Sequence, residues 1–172
     1  WYNKFFSNTI YANYIFDSGF CNDRSISFGD GFSTDATTYY ISYSRALNSQ
    51  ASLICNNKND FFTVENDDGN KALTYPIGLI TYDELMYAGI NYRKVNKYSY
   101  VSSTIPYWTM SPSQFYKDNG LAIGTLNYGE RIIFNSVDYG RYVKPVINLK
   151  PDVKISGGIG TSNDPFVVDT NN

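Results

Sequence analysis

From residue 98 to residue 168 the chain falls into a succession of short β-forming runs: Tyr98–Val101, Tyr107–Met110, Leu121–Leu126, Arg131–Val137, Tyr142–Leu149, Val153–Ile155 and Phe166–Val168. Turn signals separate most of them, at Asp118-Asn119-Gly120, Asn127-Tyr128-Gly129, Asp138-Tyr139-Gly140 and Gly157-Gly158. Runs this short and this regularly punctuated pair with their chain neighbours, so the second half predicts a twisted, mainly antiparallel sheet. The first half reads differently. Thr81-Tyr82-Asp83-Glu84 is a capping box, in which hydroxyl and carboxylate satisfy orphan backbone donors at a helix start, and Gly89 supplies the stop. Leu85, with Ala88 or Tyr87, forms the expected buried face of that helix, and Tyr75–Ile80 before it reads as a short buried strand. Residues 1–16 place Tyr2, Phe5, Phe6, Ile10 and Tyr14 mostly three or four apart, which predicts an amphipathic helix ended by Asp17-Ser18-Gly19. Residues 21–70 are rich in Ser, Thr, Asn, Asp and Gly and read as long loops with at most short helical or strand pieces. Two helices followed by strands make an α+β fold, and 172 residues suffice for one domain, 1–172.

Composition removes several kinds of chemistry. The chain has 17 Tyr and 11 Phe but no His, so Ser-His and Cys-His catalytic pairs and His-containing metal sites are excluded. Fourteen basic against 16 acidic residues leave no basic excess for a phosphate backbone, so no nucleic-acid partner is expected. The 2 cysteines, Cys21 and Cys55, are too few for a zinc site and too widely spaced for a CxxC redox motif. They read as a disulfide worth roughly 3–4 kcal/mol by chain-entropy arithmetic, with two buried free thiols as the alternative. Glu65-Asn66-Asp67-Asp68-Gly69-Asn70 superficially resembles a calcium loop but lacks EF-hand spacing and reads as a solvated turn. Neither metal nor cofactor is expected. No apolar run approaches the ~20 residues of a membrane span, so direct membrane insertion is not expected. The start at Trp1 reads as an excised ectodomain, with a secreted or cell-surface location.

Four segments, in order, resemble a known group. Gly78-Leu79-Ile80-Thr81-Tyr82-Asp83-Glu84-Leu85-Met86-Tyr87-Ala88 resembles the helix start of formylglycine-generating-enzyme-like domains, a branch of the C-type lectin fold. Tyr107-Trp108-Thr109-Met110-Ser111-Pro112 resembles an element of bacterial surface and pilin-like proteins. Gly140-Arg141-Tyr142-Val143-Lys144-Pro145-Val146-Ile147-Asn148-Leu149 is similar to their closing strand, with Lys144 where that pattern has Arg, and residues 157–166 are similar to their ending. The resemblance implies a C-type-lectin-like fold related to the variable proteins of diversity-generating retroelements. In such proteins the stretch between the Trp-containing strand and the closing strand is an exposed ligand-binding face, and here it runs from Ser113 to Tyr139. The resemblance also implies that Trp108 is scaffold, with Ser111-Pro112 shaping a turn. Arg141 reads as a semi-buried donor to loop carbonyls.

The stretch has the Tyr, Asn, Ser and Gly character of a paratope, in which tyrosines give contact area at low entropic cost. Tyr116, Tyr128 and Tyr139 are the expected anchors; Ser113, Gln114, Lys117, Asp118, Asn119, Glu130, Arg131, Asn135 and Asp138 are the polar readers. The oxidative chemistry of formylglycine-generating enzymes needs a late cysteine, and neither cysteine lies beyond residue 55. The sequence also lacks the Glu-Pro-Asn, Gln-Pro-Asp and Trp-Asn-Asp triplets of calcium-dependent sugar binding, and Asn163-Asp164-Pro165 reads as a turn. The expected function is non-catalytic recognition or adhesion, with a protein or glycan on another cell, a phage or a host surface as ligand. One alternative is a subunit-contact domain of a pilus-like assembly. Another is a glycoside hydrolase using Asp118, Glu130 or Asp138.

Overall fold

The computed structural model describes residues 1–32, 35–92, 94–126, 131–161 and 163–170. In chain order the strands are β1 Ile15–Phe16, β2 Phe20–Cys21, β3 Ile26–Phe28, β4 Thr38–Tyr40, β5 Phe61–Phe62, β6 Gly78–Leu79, β7 Tyr107–Tyr116, β8 Asn119–Leu126, β9 Arg131–Ser136, β10 Tyr142–Val143, β11 Pro145–Val146, β12 Asn148–Leu149, β13 Ile155–Gly157 and β14 Val167–Val168. The helices are α1 Tyr2–Phe5, α2 Ile41–Asn48 and α3 Tyr82–Tyr87, with 3-10 turns at Ile10–Tyr14 and Lys58–Asp60. An open, mainly antiparallel sheet in the order β3-β4-β7-β8-β9 forms the centre, and β10 adds in parallel to the start of β7. The fold is α+β.

The long strand β7 runs through Ser111-Pro112, where a turn was expected. Proline has no N–H to give a ladder, and the β7–β8 register shifts on both sides of Pro112, so the residue sits at a bulge. Ser111 is buried and its hydroxyl oxygen accepts the Tyr82 N–H at 2.9 Å, fastening the first turn of α3 to the sheet. The Thr81–Glu84 capping box is complete in both directions, and Gly89, with φ +87, follows the helix. Tyr82 and Leu85 form the buried face of α3, joined by Ile80, Ile90, Ala46, Tyr107, Ile123 and Ile132 in the core. Tyr87, expected as an alternative buried residue, is instead exposed.

Several elements depart from the sequence reading. Residues 1–16 form no continuous helix: α1 has one turn, Asn8 breaks the chain at φ +60, and a 3-10 turn and β1 follow. Ser7 and Thr9 hydroxyls bond locally to Asn3 Oδ1 and the Phe6 carbonyl, competing with helix propagation. The run Tyr98–Val101 is a turn rather than a strand, because its polar groups are taken up by side-chain bonds such as Ser99 Oγ to the Ala88 carbonyl at 2.6 Å. The run Tyr142–Leu149 divides into three strands with three partners, β10 on β7, β11 on β6 and β12 on β1. It thereby joins the N-terminal segment to the sheet. Val153–Ile155 shifts to Ile155–Gly157, which pairs with β14. The Asp164 carbonyl gathers the N–H groups of Ile159, Gly160 and Thr161, so Asn163-Asp164-Pro165 is a turn.

Cys21 and Cys55 form a disulfide with Cα atoms 5.8 Å apart. Beside it, Glu65–Asn70 is held through its donors: Asp17 accepts the N–H groups of Val64, Glu65 and Asn66 at 2.8–3.1 Å. Burial raises the Asp17 pKa, but these three backbone donors outweigh it and hold the carboxyl below its ordinary value. Its stabilisation is therefore complete above the unfolded value of about 3.9 and is lost as pH falls through that value and the lower folded one. Asp17→Ala is expected to cost about 1–3 kcal/mol at pH 7, and the deficit to shrink by pH 3, as read by urea unfolding at both pH values.

Candidate functional site

Alternation along β7 sends Tyr107, Thr109, Ser111 and Ser113 into the core and leaves Trp108, Met110, Pro112 and Gln114 on the opposite face. Register continues this outer face across the sheet. Pro112 stands beside Ala122 and then Asn135, and Trp108 beside Gly124 and then Ile133. The small residues of β8 leave a shallow groove of about 230 Å³ whose floor is Met110, Pro112, Leu121 and Ala122. Phe32, Phe115 and Val137 close one end, and Asn22, Arg24, Tyr40, Gln114 and Gly120 line the remainder. Arg24 is held in position by Asp60, a buried carboxylate, through Nε at 2.6 Å and through its backbone N–H at 3.1 Å.

The expected site residues separate into groups. Tyr116, Lys117, Asp118 and Asn119 form the β7–β8 hairpin end, and the Val137 N–H donates to the Gly120 carbonyl at 3.0 Å, bringing Asp138 and Tyr139 to that same end. Tyr116 is 48% and Tyr139 59% exposed, and the Lys117 ammonium lies 5.4 Å from the Tyr116 ring centre. Gln114 belongs to the groove, and Asn135 lies on the outer face with its Oδ1 accepting the Ser136 N–H at 3.0 Å. Ser113, expected on the binding face, is fully buried because the alternation turns it to the core. Arg131 sits at the other end of β9, roughly 17 Å along the strand from Ser136. Tyr128 and Glu130 lie outside the described residues. Asp118 and Asp138 are exposed and do not line the groove.

At the Arg131 end, Trp108 is half-buried beneath the Arg141 guanidinium, whose central carbon is 5.1 Å from the ring centre. Arg141 Nη1 donates to the Thr125 carbonyl at 2.9 Å, and burial lowers the Arg141 pKa. This pair ties the segment entering β10 to the end of β8.

Asn22, Arg24, Phe32 and Tyr40 come from the first half of the chain and were not legible as site residues. They reach the groove because β4 pairs with the far end of β7, Thr38 opposite Phe115, and Phe32 meets Phe115 edge-on at 5.1 Å. No local motif marks a residue delivered by long-range strand pairing; the one available signal was the aromatic and turn-rich 28–40 segment itself. Compared with protein-family models, curated proteins and solved structures, the chain matches none of them.

Proposed function

We propose that this chain is a non-catalytic recognition module of C-type-lectin-like type, acting outside the cytoplasm or on a cell surface and binding a protein or glycan through its outer sheet face. The observation that carries the reading is the continuity of the apolar groove with the exposed hairpin end: Phe115 and Val137, which line the groove, stand one and two residues along the chain from the exposed Tyr116 and Tyr139. An apolar floor, the Asn22 and Gln114 amides with the Arg24 guanidinium among the polar lining, and exposed tyrosines at one end combine contact area with adaptable hydrogen bonding. The disulfide suits an oxidising compartment, and among the described residues no helix is long and apolar enough to cross a membrane.

The reading is tested by probing a glycan array and a panel of intact bacterial and host cells. The proteins compared are the unmodified chain, Tyr116→Ala/Tyr139→Ala, and Tyr98→Ala, the last at a tyrosine 80% exposed after α3. Loss of two anchor tyrosines is expected to weaken binding roughly thirtyfold or more, and Tyr98→Ala to leave it within twofold. Equal binding by all three proteins overturns the assignment of this face.

A second reading, a subunit-contact domain in a surface assembly, is favoured by the edge strand β3. Ile26 is 49%, Phe28 69% and nearby Phe32 77% exposed, an apolar sheet edge of the kind that associates. Sedimentation that stays monomeric from micromolar to millimolar concentration argues against it.

A further inference from the structure

A second cavity, of about 350 Å³, lies away from the groove, between β2, the start of α3 and residues 52–55. Arg45, Asp83 and Ser111 contribute to its polar lining, and the 52–55 segment forms one wall. The attachment of that wall is unusual. Residues 51–56 have no regular secondary structure, and Leu53 and Ile54 are 65% and 70% exposed, so burial does not hold the segment down.

Both ends are fixed. At one, the Gln50 N–H donates to the Arg45 carbonyl at 2.9 Å while the Gln50 carbonyl accepts the Tyr82 hydroxyl at 3.0 Å. At the other, Asn57 Oδ1 accepts the Asn59 N–H at 2.9 Å and opens the following 3-10 turn. Between these points, one hydrogen bond and one covalent bond join the segment to the body among the described residues: the Ser52 N–H to Asp83 Oδ1 at 2.9 Å, and the Cys55–Cys21 disulfide. The Ile54 N–H to Ser52 Oγ bond stays within the segment. Cys21 is itself anchored, since β2 pairs with β5 through Cys21 and Phe61. No residue of 51–56 belongs to the core formed by α2, α3 and the central sheet.

We propose that residues 51–56 are a disulfide-latched strap whose release opens the cavity over Arg45 and Asp83 while the sheet and core stay folded. The reductant is a dithiol. It supplies two electrons and two protons, the S–S bond breaks to give the Cys21 and Cys55 thiols, and the dithiol closes to its own disulfide. Reoxidation reverses the exchange and restores the wall. The cavity shares no lining residue with the groove, and the latch does not depend on the recognition reading.

Hydrogen exchange on the full chain tests this, comparing the oxidised protein, the protein in excess dithiothreitol, and Cys21→Ser/Cys55→Ser. The two strap amides that are hydrogen-bonded, those of Ser52 and Ile54, are expected to exchange at least tenfold faster in the last two, with β7 and β8 amides changed less than twofold. Phenylglyoxal is expected to modify Arg45, whose side chain is 13% exposed when latched, several-fold faster after reduction. Ser52→Pro, which removes the N–H to Asp83 and the hydroxyl that accepts the Ile54 N–H, is expected to accelerate Arg45 modification less than reduction does. Unchanged strap exchange, unchanged Arg45 modification, loss of protection throughout β7 and β8, or a larger effect from Ser52→Pro each overturns the proposal.

Discussion

Replacing Arg45 with alanine is expected to cost about 3–5 kcal/mol of folding free energy, because it leaves two largely buried carboxylates without a countercharge. Arg45 Nη1 donates to Asp23 Oδ2 at 2.9 Å and Nη2 to Asp83 Oδ2 at 2.7 Å. The acidic side chains are only 12% and 7% exposed, which separates this triad from surface pairs worth less than about 1 kcal/mol. Burial raises the Asp23 pKa, but the Ser25 hydrogen bonds and Arg45 outweigh it and hold the carboxyl below its ordinary value. The stabilisation is thus complete above the unfolded value of about 3.9 and is lost as pH falls through it and the lower folded value. Without Arg45, Asp23 takes up its proton at higher pH, so the variant's deficit is largest near neutrality and narrows in acid. Urea unfolding at pH 7 and pH 4 measures both effects, and Arg45→Met separates lost charge from lost packing. A deficit under 1 kcal/mol at pH 7 would show that the triad contributes no more than an exposed pair.

Tyr107→Ala is expected to be comparably destabilising, about 3–5 kcal/mol, since it removes a fully buried aromatic from the centre of the core. The Tyr107 hydroxyl donates to the Val101 carbonyl at 2.9 Å, and the Lys144 ammonium lies 4.5 Å from the ring centre. Tyr107→Phe keeps the ring and loses one hydrogen bond, for an expected cost of about 1 kcal/mol. Burial pushes the Tyr107 hydroxyl up to about 12, and burial does the same to Tyr82, with Asp83 adding to the shift and Arg45 opposing it. A folded value above the unfolded value of about 10 contributes stability present below pH 10 and lost as pH rises toward 12. Alkaline unfolding followed by tyrosinate absorbance is therefore expected to be cooperative in this window, with a shallower pH dependence in Tyr107→Phe. Identical profiles for the two proteins would sink the assignment of Tyr107 to this transition.

The legible parts of the fold were those whose chemistry is local. The capping box at Thr81 and Glu84 fixes α3 and could be read directly; the β7–β8 hairpin was legible too, but its turn is Lys117-Asp118, with φ +54 at Lys117, and Asn119 and Gly120 of the expected turn instead pair with Tyr116 and Phe115 in the ladder. Helix α2 was not legible. Its sequence, Ile41-Ser-Tyr-Ser-Arg-Ala-Leu-Asn48, is rich in poor helix formers, has no side-chain N-cap, and ends on Ser49 with φ +54 instead of a glycine. What holds it is tertiary: buried Ser42 and Ala46, a Ser42 hydroxyl donating to the Pro112 carbonyl, and the Arg45 ion pairs. The site shows the same division. Tyr116 and Tyr139 converge through a hairpin and one ladder bond, but treating 113–139 as a single face ignored strand alternation, which turns Ser113, Ile123, Thr125 and Ile132 inward. Asn22, Arg24 and Phe32 enter through pairing across most of the chain and leave no local trace.

The row of Gly120, Ala122 and Gly124 along β8 also constrains how such a surface can diversify by mutation. A Cβ at Gly124 would stand 2.9 Å from Trp108 Cε3 and 3.2 Å from the Tyr107 carbonyl oxygen, whereas one at Gly120 would meet Val137 at an ordinary 3.7 Å. Position 124 is therefore closed to larger residues unless Trp108 moves, and with it the Arg141 stacking that secures the entry to β10. Position 120 has room to gain bulk at the groove. A lineage of such proteins is free to change the depth of the groove at its hairpin end while the sheet face around Trp108, beyond the groove, stays unaltered.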